Sequence, residues 1–461
     1  MLFKRLRTGG KILVDHLVYG LGLGVLTILR LLPRSSLRLF SKGLGTALFY
    51  FISDFRKTAL TNLALAFPEK SFAERYQIAR QSVQQMIITF VELATVASPK
   101  FAKHIDEMIA IATSEDAPEG FFPEEVSSQQ ELDHFFSRLD RQEGAILFCG
   151  HQANWELPFL YITKRYPGLA FAKPVKNRRL NQKIISLRES FQGKIVPPQN
   201  AINQALRALH RGEVVGIVGD QVLLSSEYSY PLFGSQAFTT TSPALLAYKT
   251  KKTVIAVAIY RKPNGNYLVV PSKAFHANTE LSIRESTEQL MDRLMRFLEK
   301  GITCKPEQWL WLHKRWKRKL RHKFKRRYAF SHILIIVKGT SLQALQRFLI
   351  EFGEFYADAS LSLAIIGATD TVLANSFAPY SLQFFSSEEE LLAAPNFFPA
   401  IVASPLFGLS RKTRLHYKRT GSRKIFTRNE LKDSLLQKQS LIQSFHKLLR
   451  RVASPTRSRK G

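Results

Sequence analysis

Apolar residues recur every three or four positions from about residue 37 to residue 103, which is the spacing of amphipathic helices. Two stretches carry the pattern, LRLFSKGLGTALFYFI and FAERYQIARQSVQQMIITFVELATVA. Between them Pro68 marks a helix boundary, and Ser71 stands three residues before Glu74, as in a capping box. This early part of the chain is therefore predicted to be helical.

A different pattern begins near residue 144, where short apolar runs alternate with helical sequence. The runs predicted as strands are GAILFCG (144–150), GLAFAKP (168–174), GKIVPP (193–198) and EVVGIVGDQ (213–221). The following stretch TVIAVAIYRKPNGNYLVVP predicts a hairpin that turns at Asn264-Gly265, and STEQLMDRLMRFLEKGI predicts an amphipathic helix. This alternation predicts an α/β fold built on a mixed sheet.

A basic run then separates this region from a second one. From Lys314 to Arg327, ten of the 14 residues are Lys or Arg. Beyond it, the apolar runs HILIIVKG, LSLAIIGA, YSLQFFSS and FPAIVASP predict a smaller Rossmann-like α/β domain. We divide the chain into a membrane anchor (1–32), a larger α/β domain (33–322), the small domain (328–410) and a basic tail (411–461).

The anchor is predicted from the first 32 residues. A basic segment, MLFKRLRTGGK, precedes an apolar one in which the 13 residues from Leu17 to Leu29 carry no charge. A helix that spans a bilayer needs about 20 apolar residues. We therefore expect this helix to be embedded in the membrane or to lie at its interface, with the basic end cytoplasmic. A buried core helix is the alternative.

The charge of the chain narrows its possible partners. The chain has 67 Lys and Arg against 36 Asp and Glu, a net charge of +31. Such an excess favours a polyanionic partner, whether nucleic acid, an anionic membrane or a phosphorylated substrate. The two cysteines, Cys149 and Cys304, are too few for a disulfide framework.

The candidate chemistry lies at the end of the first predicted strand. His151 follows Gly150 there, and Glu156 stands five positions further on. A carboxylate that accepts from one imidazole nitrogen fixes the tautomer and makes the other nitrogen more basic. Backbone N–H groups at the start of the next helix favour a developing oxyanion or a phosphate. This arrangement predicts a base that activates an alcohol.

Other kinds of site are disfavoured by the sequence. His and Cys residues with metal-ligand spacing do not accompany His151, so no metal ion is expected. The chain also lacks the G-x-S-x-G motif of serine hydrolases. The side chain of Cys149 is expected to point away from the histidine, so no acyl-enzyme is predicted.

The sequence around His151 resembles that of a known protein family. GHQANWELP (150–158) is similar to the G-H-x-x-N-W-E block of the bacterial lipid A biosynthesis acyltransferases. Four further blocks resemble that family in the same order: FRKTALTNLALAFPEKSFAERYQIAR (55–80), RGEVVGIVGDQ (211–221), PLFGSQAFTTTSPALLAYKT (231–250) and KPEQWLWLHKRWK (305–317). The resemblance covers about residues 12–320.

The resemblance implies a mixed sheet wrapped by helices, with a membrane-embedded helix at the N-terminus. It implies transfer of a fatty acyl chain from acyl carrier protein to a hydroxyl of a lipid A precursor, without a cofactor or a metal. The place implied is the cytoplasmic face of the bacterial inner membrane.

The resemblance also implies roles for individual residues. His151 matches the general base and Glu156 its orienting partner, while Arg188 would stabilise the oxyanion or bind a phosphate. Asp220, with Gln221 after it, would support the site. The remaining matches are two pocket residues, Asn154 and Trp155, for which simple packing is the alternative, and Lys173, where the family usually has arginine. Lysine keeps the charge of arginine but loses its bidentate geometry, which affects how a phosphate is held.

Three tryptophans lie just before or within the basic run, and together with its cations they favour a membrane surface. Trp309, Trp311 and Trp316 would lie at the level of the headgroups while the cations meet anionic lipid. Nucleic acid is not expected, because the sequence contains no recognisable nucleic-acid-binding module.

Two other functions are compatible with the sequence. The first is a glycerophospholipid or other glycolipid acyltransferase that uses the same histidine and glutamate. The second is a non-catalytic protein that binds membranes or nucleic acid.

Overall fold

The computed structural model describes Gly20, Gly24 and residues 33–96, 105–175, 177–317, 332–356, 359–367, 380–394, 400–403, 409–420, 422 and 424–426. The predicted anchor at 1–32 lies outside these residues apart from the two glycines, as does most of the basic run and the end of the basic tail. Within the described residues, every helix is too short or too polar to span a membrane.

Contacts group the described residues into two compact units. The described residues of the first unit lie within Met1–Phe51, Arg80–Leu232 and Thr239–Leu310, and those of the second lie within Ile52–Ala79, Phe233–Phe238 and Trp311–Gly461.

The first elements confirm the predicted helical region. They are α1 (Arg34–Phe51), α2 (Ser53–Ala66) and α3 (Phe72–Val96). The capping box at the start of α3 is also confirmed, because Glu74 N donates to Ser71 Oγ (3.3 Å) and Ser71 N donates to Glu74 Oε2 (2.8 Å). These reciprocal bonds satisfy backbone donors that the helix itself cannot pair.

The first unit contains a seven-stranded sheet with the order β1-β9-β8-β2-β5-β3-β4. Neighbouring strands are parallel except β8 and β9, which form the predicted antiparallel hairpin. The mixed α/β sheet is thus confirmed. Its strands are β1 (Ile109–Ile111), β2 (Ala145–Cys149), β3 (Gly168–Phe171), β4 (Gly193–Val196), β5 (Val214–Val218), β8 (Val254–Arg261) and β9 (Tyr267–Pro271).

The helices around this sheet follow the predicted alternation. They are α4 (Gln129–Asp140), α5 (Leu157–Thr163), α6 (Arg178–Arg188), α7 (Ala201–His210), α8 (Ser242–Thr250) and α9 (Ile283–Cys304), and two short strands, β6 (Ser229–Leu232) and β7 (Ser235–Phe238), precede α8. Strands β2 and β8 are buried along their whole length, as expected for central strands whose two faces are both covered.

Phe159 on α5 packs close to the sheet because the strands beneath it carry glycine. A Cβ atom at Gly216 would lie 2.9 Å from the Phe159 ring, and one at Gly193 would lie 2.8 Å from it. These small residues therefore set how near α5 comes to the sheet.

The second unit contains a five-stranded parallel sheet with the order β12-β11-β10-β13-β14. The first strand of this unit is central in the order, and all neighbouring strands are parallel, so the unit is an α/β fold. Its strands are β10 (His332–Lys338), β11 (Ser360–Ile366), β12 (Tyr380–Phe385), β13 (Ala400–Ala403) and β14 (Lys424–Phe426), and its helices are α10 (Gln346–Phe355), α11 (Glu388–Ala393) and α12 (Arg411–Thr420). The predicted domain end at residue 410 falls before α12 and β14, which belong to this fold.

The expectation that three tryptophans face a membrane is wrong. Trp309, Trp311 and Trp316 are 1%, 0% and 3% exposed. In the second unit the rings of Trp311 and Trp316 stack with their centroids 6.4 Å apart, and Trp316 Nε1 donates to Ser235 O (3.1 Å). These indoles find their partners inside the protein and not at the headgroups.

Candidate active site

The imidazole of His151 faces the carboxylate of Asp220, with 2.5 Å between Nδ1 and Oδ1. The sheet explains why they meet. Strands β2 and β5 are parallel neighbours in which Cys149 pairs with Val218. His151 and Asp220 each stand two positions beyond this pair, so both lie at the carboxyl edge of the sheet, where α/β folds place ligand sites.

Asp220 is held from three directions. Its Oδ2 atom accepts from the backbone N–H of His151 (2.8 Å) and from the indole Nε1 of Trp309 (2.7 Å). The carboxylate is fully buried, and the His151 side chain is 13% exposed. A buried carboxylate at Nδ1 keeps the proton on that nitrogen, which leaves Nε2 as a hydrogen-bond acceptor. The amide Nε2 of Gln221 lies 3.2 Å from it.

Gly150 is needed for this arrangement. A Cβ atom at this position would lie 2.5 Å from Leu298 Cδ1 and 3.1 Å from Asp220 Oδ2. Any larger residue would therefore push against the carboxylate that orients the histidine.

Glu156 is not the carboxylate that contacts the imidazole, contrary to the prediction. It pairs with Arg188, whose Nε donates to Oε2 (2.9 Å) and whose Nη2 donates to Oε1 (2.5 Å). The reason is local: the helix starts only at Leu157, so helical spacing does not bring Glu156 back to His151. Asp220, predicted only to support the site, occupies that place.

A cavity of about 260 Å³ opens beside the imidazole. Its wall combines apolar side chains with the charged groups of Glu156, Arg188 and Lys173. The lining residues are Leu147, Cys149, His151, Trp155, Glu156, Pro158, Phe159, Ala170, Phe171, Ala172, Lys173, Arg188, Ile195, Gly216, Ile217, Val218, Gln221 and Val257. The structure thus brings His151, Glu156, Arg188, Trp155, Lys173 and Gln221 to one cavity.

A second, smaller cavity of about 50 Å³ shares Leu147, Pro158 and Val257 with the first. All of its lining side chains are apolar apart from the hydroxyl of Tyr161: Ile109, Ile111, Leu132, Phe135, Phe136, Leu147, Pro158, Tyr161, Ile162, Ile255, Val257, Val269 and Pro271. The three shared residues form a partition between the two spaces.

The two residues predicted to shape the pocket differ in position. The Trp155 ring lies 4.8 Å from the His151 ring and lines the cavity. Asn154 is buried and does not line it. Its Nδ2 atom donates to Glu92 Oε2 (3.2 Å) on α3, so for Asn154 the packing alternative fits better.

Asn154 joins a buried polar network that the sequence did not reveal. Arg261 Nη2 donates to Glu92 Oε2 (2.8 Å), and Arg261 Nε donates to Tyr267 Oη (3.0 Å). The Tyr267 hydroxyl donates to the same Glu92 carboxylate. Burial and the charge of Glu92 raise the pKa of Tyr267 above its usual range, so the hydroxyl stays a donor. The network ties α3 and the hairpin to the loop that carries His151.

The backbone of that loop is fixed by the segment before the basic run. Ala153 N donates to Gln308 O (2.7 Å), and Leu310 N donates to His151 O (3.0 Å). Thr89 Oγ1 donates to Ala153 O (2.5 Å), where the backbone adopts a φ of 42°. Trp309, one of the tryptophans expected at the membrane, is therefore a positioning residue for Asp220.

Cys149 lines the cavity, although its side chain was expected to point away from the histidine. Burial raises the pKa of the Cys149 thiol far above its usual range, and the charges of Asp220 and Glu156 raise it further. The thiol therefore remains protonated and is not a nucleophile at neutral pH.

Among the described residues, no group of three or more His, Cys, Asp or Glu side chains is placed to hold a metal ion.

Comparison with known proteins identifies the family of this chain. The family model of the bacterial lipid A biosynthesis acyltransferases matches residues 7–318. The chain is 25% identical over 305 residues to the lipid A biosynthesis lauroyltransferase of Escherichia coli K12, which covers 64% of this chain and 90% of that protein.

Two mycobacterial proteins are also similar over a shorter stretch. The phosphatidylinositol mannoside acyltransferase of Mycolicibacterium smegmatis is 23% identical over 192 residues, or 40% of this chain and 61% of that protein. That of Mycobacterium tuberculosis H37Rv is 24% identical over 194 residues, or 40% and 58%. The match over residues 7–318 establishes that the chain belongs to the bacterial lipid A biosynthesis acyltransferase family and is an acyltransferase.

Proposed function

We propose that the protein transfers a fatty acyl chain from acyl carrier protein to a hydroxyl of a lipid A precursor at the cytoplasmic face of the bacterial inner membrane. The observation that carries this proposal is the His151–Asp220 pair, which opens onto a cavity lined by both apolar and charged side chains.

In the proposed reaction His151 is the general base. Its Nε2 atom accepts the proton of the acceptor hydroxyl while Asp220 stabilises the imidazolium that forms. The hydroxyl oxygen attacks the thioester carbonyl, a C–O bond forms, and the C–S bond breaks as the tetrahedral intermediate collapses. The proton then passes from Nε2 to the leaving thiolate of the carrier. The protonated thiol of Cys149 supports direct transfer without an acyl-enzyme.

The acyl chain is proposed to occupy the apolar part of the cavity. Ala170, Gly216 and Val218 from β3 and β5 offer a wall without polar side chains. Burial of each CH₂ group there contributes about 0.8 kcal/mol to binding. An acyl chain bound in this way would have its carbonyl at the polar end of the cavity, beside His151.

The polar groups around the imidazole are proposed to stabilise charge. The Gln221 amide, which lies 3.2 Å from Nε2, would be displaced by the incoming hydroxyl and could then donate to the oxyanion. Arg188, whose side chain is 20% exposed and fixed by Glu156, and the exposed Lys173 would meet the negative groups of the acceptor. Such charge-assisted bonds are stronger than neutral ones.

Two surface features support a membrane-bound acceptor and an acidic donor. Helix α1 exposes Leu39, Phe40, Leu44 and Phe51 by 74%, 50%, 38% and 87%, and an apolar helix face of this kind suits a lipid interface. The net charge of +31 favours encounter with the acidic acyl carrier protein.

A second candidate is acyl transfer to another glycolipid. The similarity to phosphatidylinositol mannoside acyltransferases favours it, and the same base and cavity would serve. A glycerophospholipid acceptor belongs to the same class of alternatives.

The test offers one donor to several acceptors. Purified full-length protein is incubated with fatty acyl-loaded carrier protein and, in parallel, with lipid A precursor, lysophosphatidic acid or a phosphatidylinositol mannoside. We expect acylated lipid A precursor, and none from His151→Ala with an unchanged circular dichroism spectrum. Product from only one of the other acceptors would replace the lipid A proposal, and full activity of His151→Ala would remove the histidine from the mechanism.

A further inference from the structure

Helix α12 of the small domain has a fixed inner face. Thr413 and Tyr417 are 0% and 1% exposed, and Tyr417 belongs to an apolar cluster with Leu334 and Leu391. Thr413 Oγ1 also donates to Glu388 Oε2 on α11 (2.5 Å). These contacts determine which side of α12 faces outward.

The outward face combines cations with one apolar side chain. At about 100° per residue, Leu415 lies directly opposite the direction of Thr413 and Tyr417. The exposed residues Arg411 and Lys418 flank it on one side, and Arg419 flanks it on the other. Leu415 itself is 41% exposed.

Two acidic residues of the neighbouring helix α11 already have partners. Glu389 pairs with Lys412 (3.6 Å), and Glu390 accepts from Ser386 N (2.6 Å). The helix itself has no acidic residue, and its five cations are all exposed: Arg411, Lys412, Arg414, Lys418 and Arg419. The outward face of α12 thus presents a positive potential at its centre.

We propose that this face of α12 binds the headgroups of an anionic phospholipid bilayer, with Leu415 entering the interface. The inference rests on the proposed function, in which the acceptor lipid lies in such a bilayer. The cations would meet lipid phosphates, and each contributes about fivefold to binding an anionic surface. The appended domain would then give the acyltransferase a membrane contact outside its catalytic fold.

Leu415 is the reason to choose a bilayer over another polyanion. A nucleic acid or an acidic protein that responds to charge alone gains nothing from an exposed leucine among cations. A bilayer interface accepts the apolar side chain below the phosphates while arginine and lysine stay at headgroup level.

The test measures flotation of the full-length protein with vesicles of phosphatidylcholine and phosphatidylglycerol, and with vesicles of phosphatidylcholine alone. The variant Arg411→Glu/Lys418→Glu/Arg419→Glu is compared with a control of equal charge change, Arg141→Glu/Arg207→Glu/Lys251→Glu. The control replaces exposed residues of the first unit. We expect the α12 variant, which loses three cations, to bind mixed vesicles at least about a hundredfold more weakly and the control to stay within about twofold.

Leu415→Ala separates a bilayer from other polyanions because it leaves the charge unchanged. We expect at least about fourfold weaker binding to mixed vesicles and unaltered retention on single-stranded RNA or acyl carrier protein. Equal losses in both triple variants, or no loss in the α12 variant and in Leu415→Ala, would overturn the inference while leaving the acyltransferase proposal intact. If the wild-type protein failed to bind mixed vesicles, the proposed membrane location and this inference would both fall.

Discussion

Nδ1 of His151 lies 2.5 Å from Oδ1 of Asp220, although 69 positions separate the two residues in the sequence. Each stands two residues past the end of a strand, and the two strands are parallel neighbours in register. The site therefore depends on strand order more than on the sequence spacing around the histidine.

Asp220→Asn is expected to lower kcat for acyl transfer by about four orders of magnitude, as the same change does in a Ser-His-Asp triad. The amide would donate to Nδ1 and force the proton onto Nε2, which then cannot act as the base. Steady-state rates with lipid A precursor, at matched circular dichroism spectra, give the measurement. A variant with near wild-type kcat would show that Asp220 does not orient the imidazole.

Glu156 and Arg188 are expected to act as one unit. Glu156→Gln weakens the bidentate pair and frees the guanidinium to move, so we expect this variant, Arg188→Met and the double variant to lose similar activity. Additive losses of the two single variants would show independent roles.

The outcome at Glu156 shows what local sequence determines and what it does not. The strand ending at Cys149 was predicted from its apolar run, and the histidine after it from its position. Five-residue spacing implied a partner on the same helical turn, but the segment from His151 to Glu156 precedes the helix that begins at Leu157. The true neighbour comes from β5, and the order of strands in a sheet is set by packing between distant segments.

Other differences between the predicted and the observed structure also have physical causes. Strand β1 spans only Ile109–Ile111, too short for a period-two pattern to stand out. Strand β14 (Lys424–Phe426) lies in sequence whose high charge suggested a tail. The tryptophans near the basic run were assigned to a membrane surface from neighbouring charge alone. Trp309 is instead buried, and its indole N–H donates to Asp220.

Cys149 is expected to be unreactive in the folded protein. An ordinary thiol with a pKa of about 8.5 is partly ionised at about pH 8, whereas burial keeps Cys149 protonated there. Mass spectrometry after iodoacetamide treatment should therefore find Cys149 unmodified in native protein and alkylated in urea. We expect Cys149→Ala to retain acyl transfer within about tenfold, and loss of all activity in a folded variant would point to an acyl-enzyme.

The network around Arg261 makes a prediction about stability. Glu92→Ala leaves the guanidinium of Arg261, whose side chain is 4% exposed, without its carboxylate. Breaking a buried ion pair in this way costs about 3 kcal/mol. Urea unfolding measures it, with Arg284→Ala as control. Arg284 pairs with Glu288 on the surface, 77% and 45% exposed, and exposed pairs contribute about 0–1 kcal/mol. Similar losses of unfolding free energy in Glu92→Ala and Arg284→Ala would contradict a stabilising role for the buried pair.

The partition between the two cavities makes a prediction about acyl chain length. Val257→Ala removes two methyl groups from a wall that the main cavity shares with the smaller apolar one. A longer chain can then pass into the second cavity, where each additional buried CH₂ is worth about 0.8 kcal/mol, or about fourfold in kcat/KM. We expect the preferred donor in a series of acyl carrier protein substrates to become longer.

Val215→Ala is the matched control for that change. Val215 is a fully buried valine on the neighbouring part of the sheet that lines neither cavity, so its truncation should reduce stability without altering the order of preference among donors. An unchanged order of donor preference in Val257→Ala would mean that the bound acyl chain ends before it reaches the partition. The same shift in both variants would mean that general loosening of the core, and not the joined cavities, sets the selectivity.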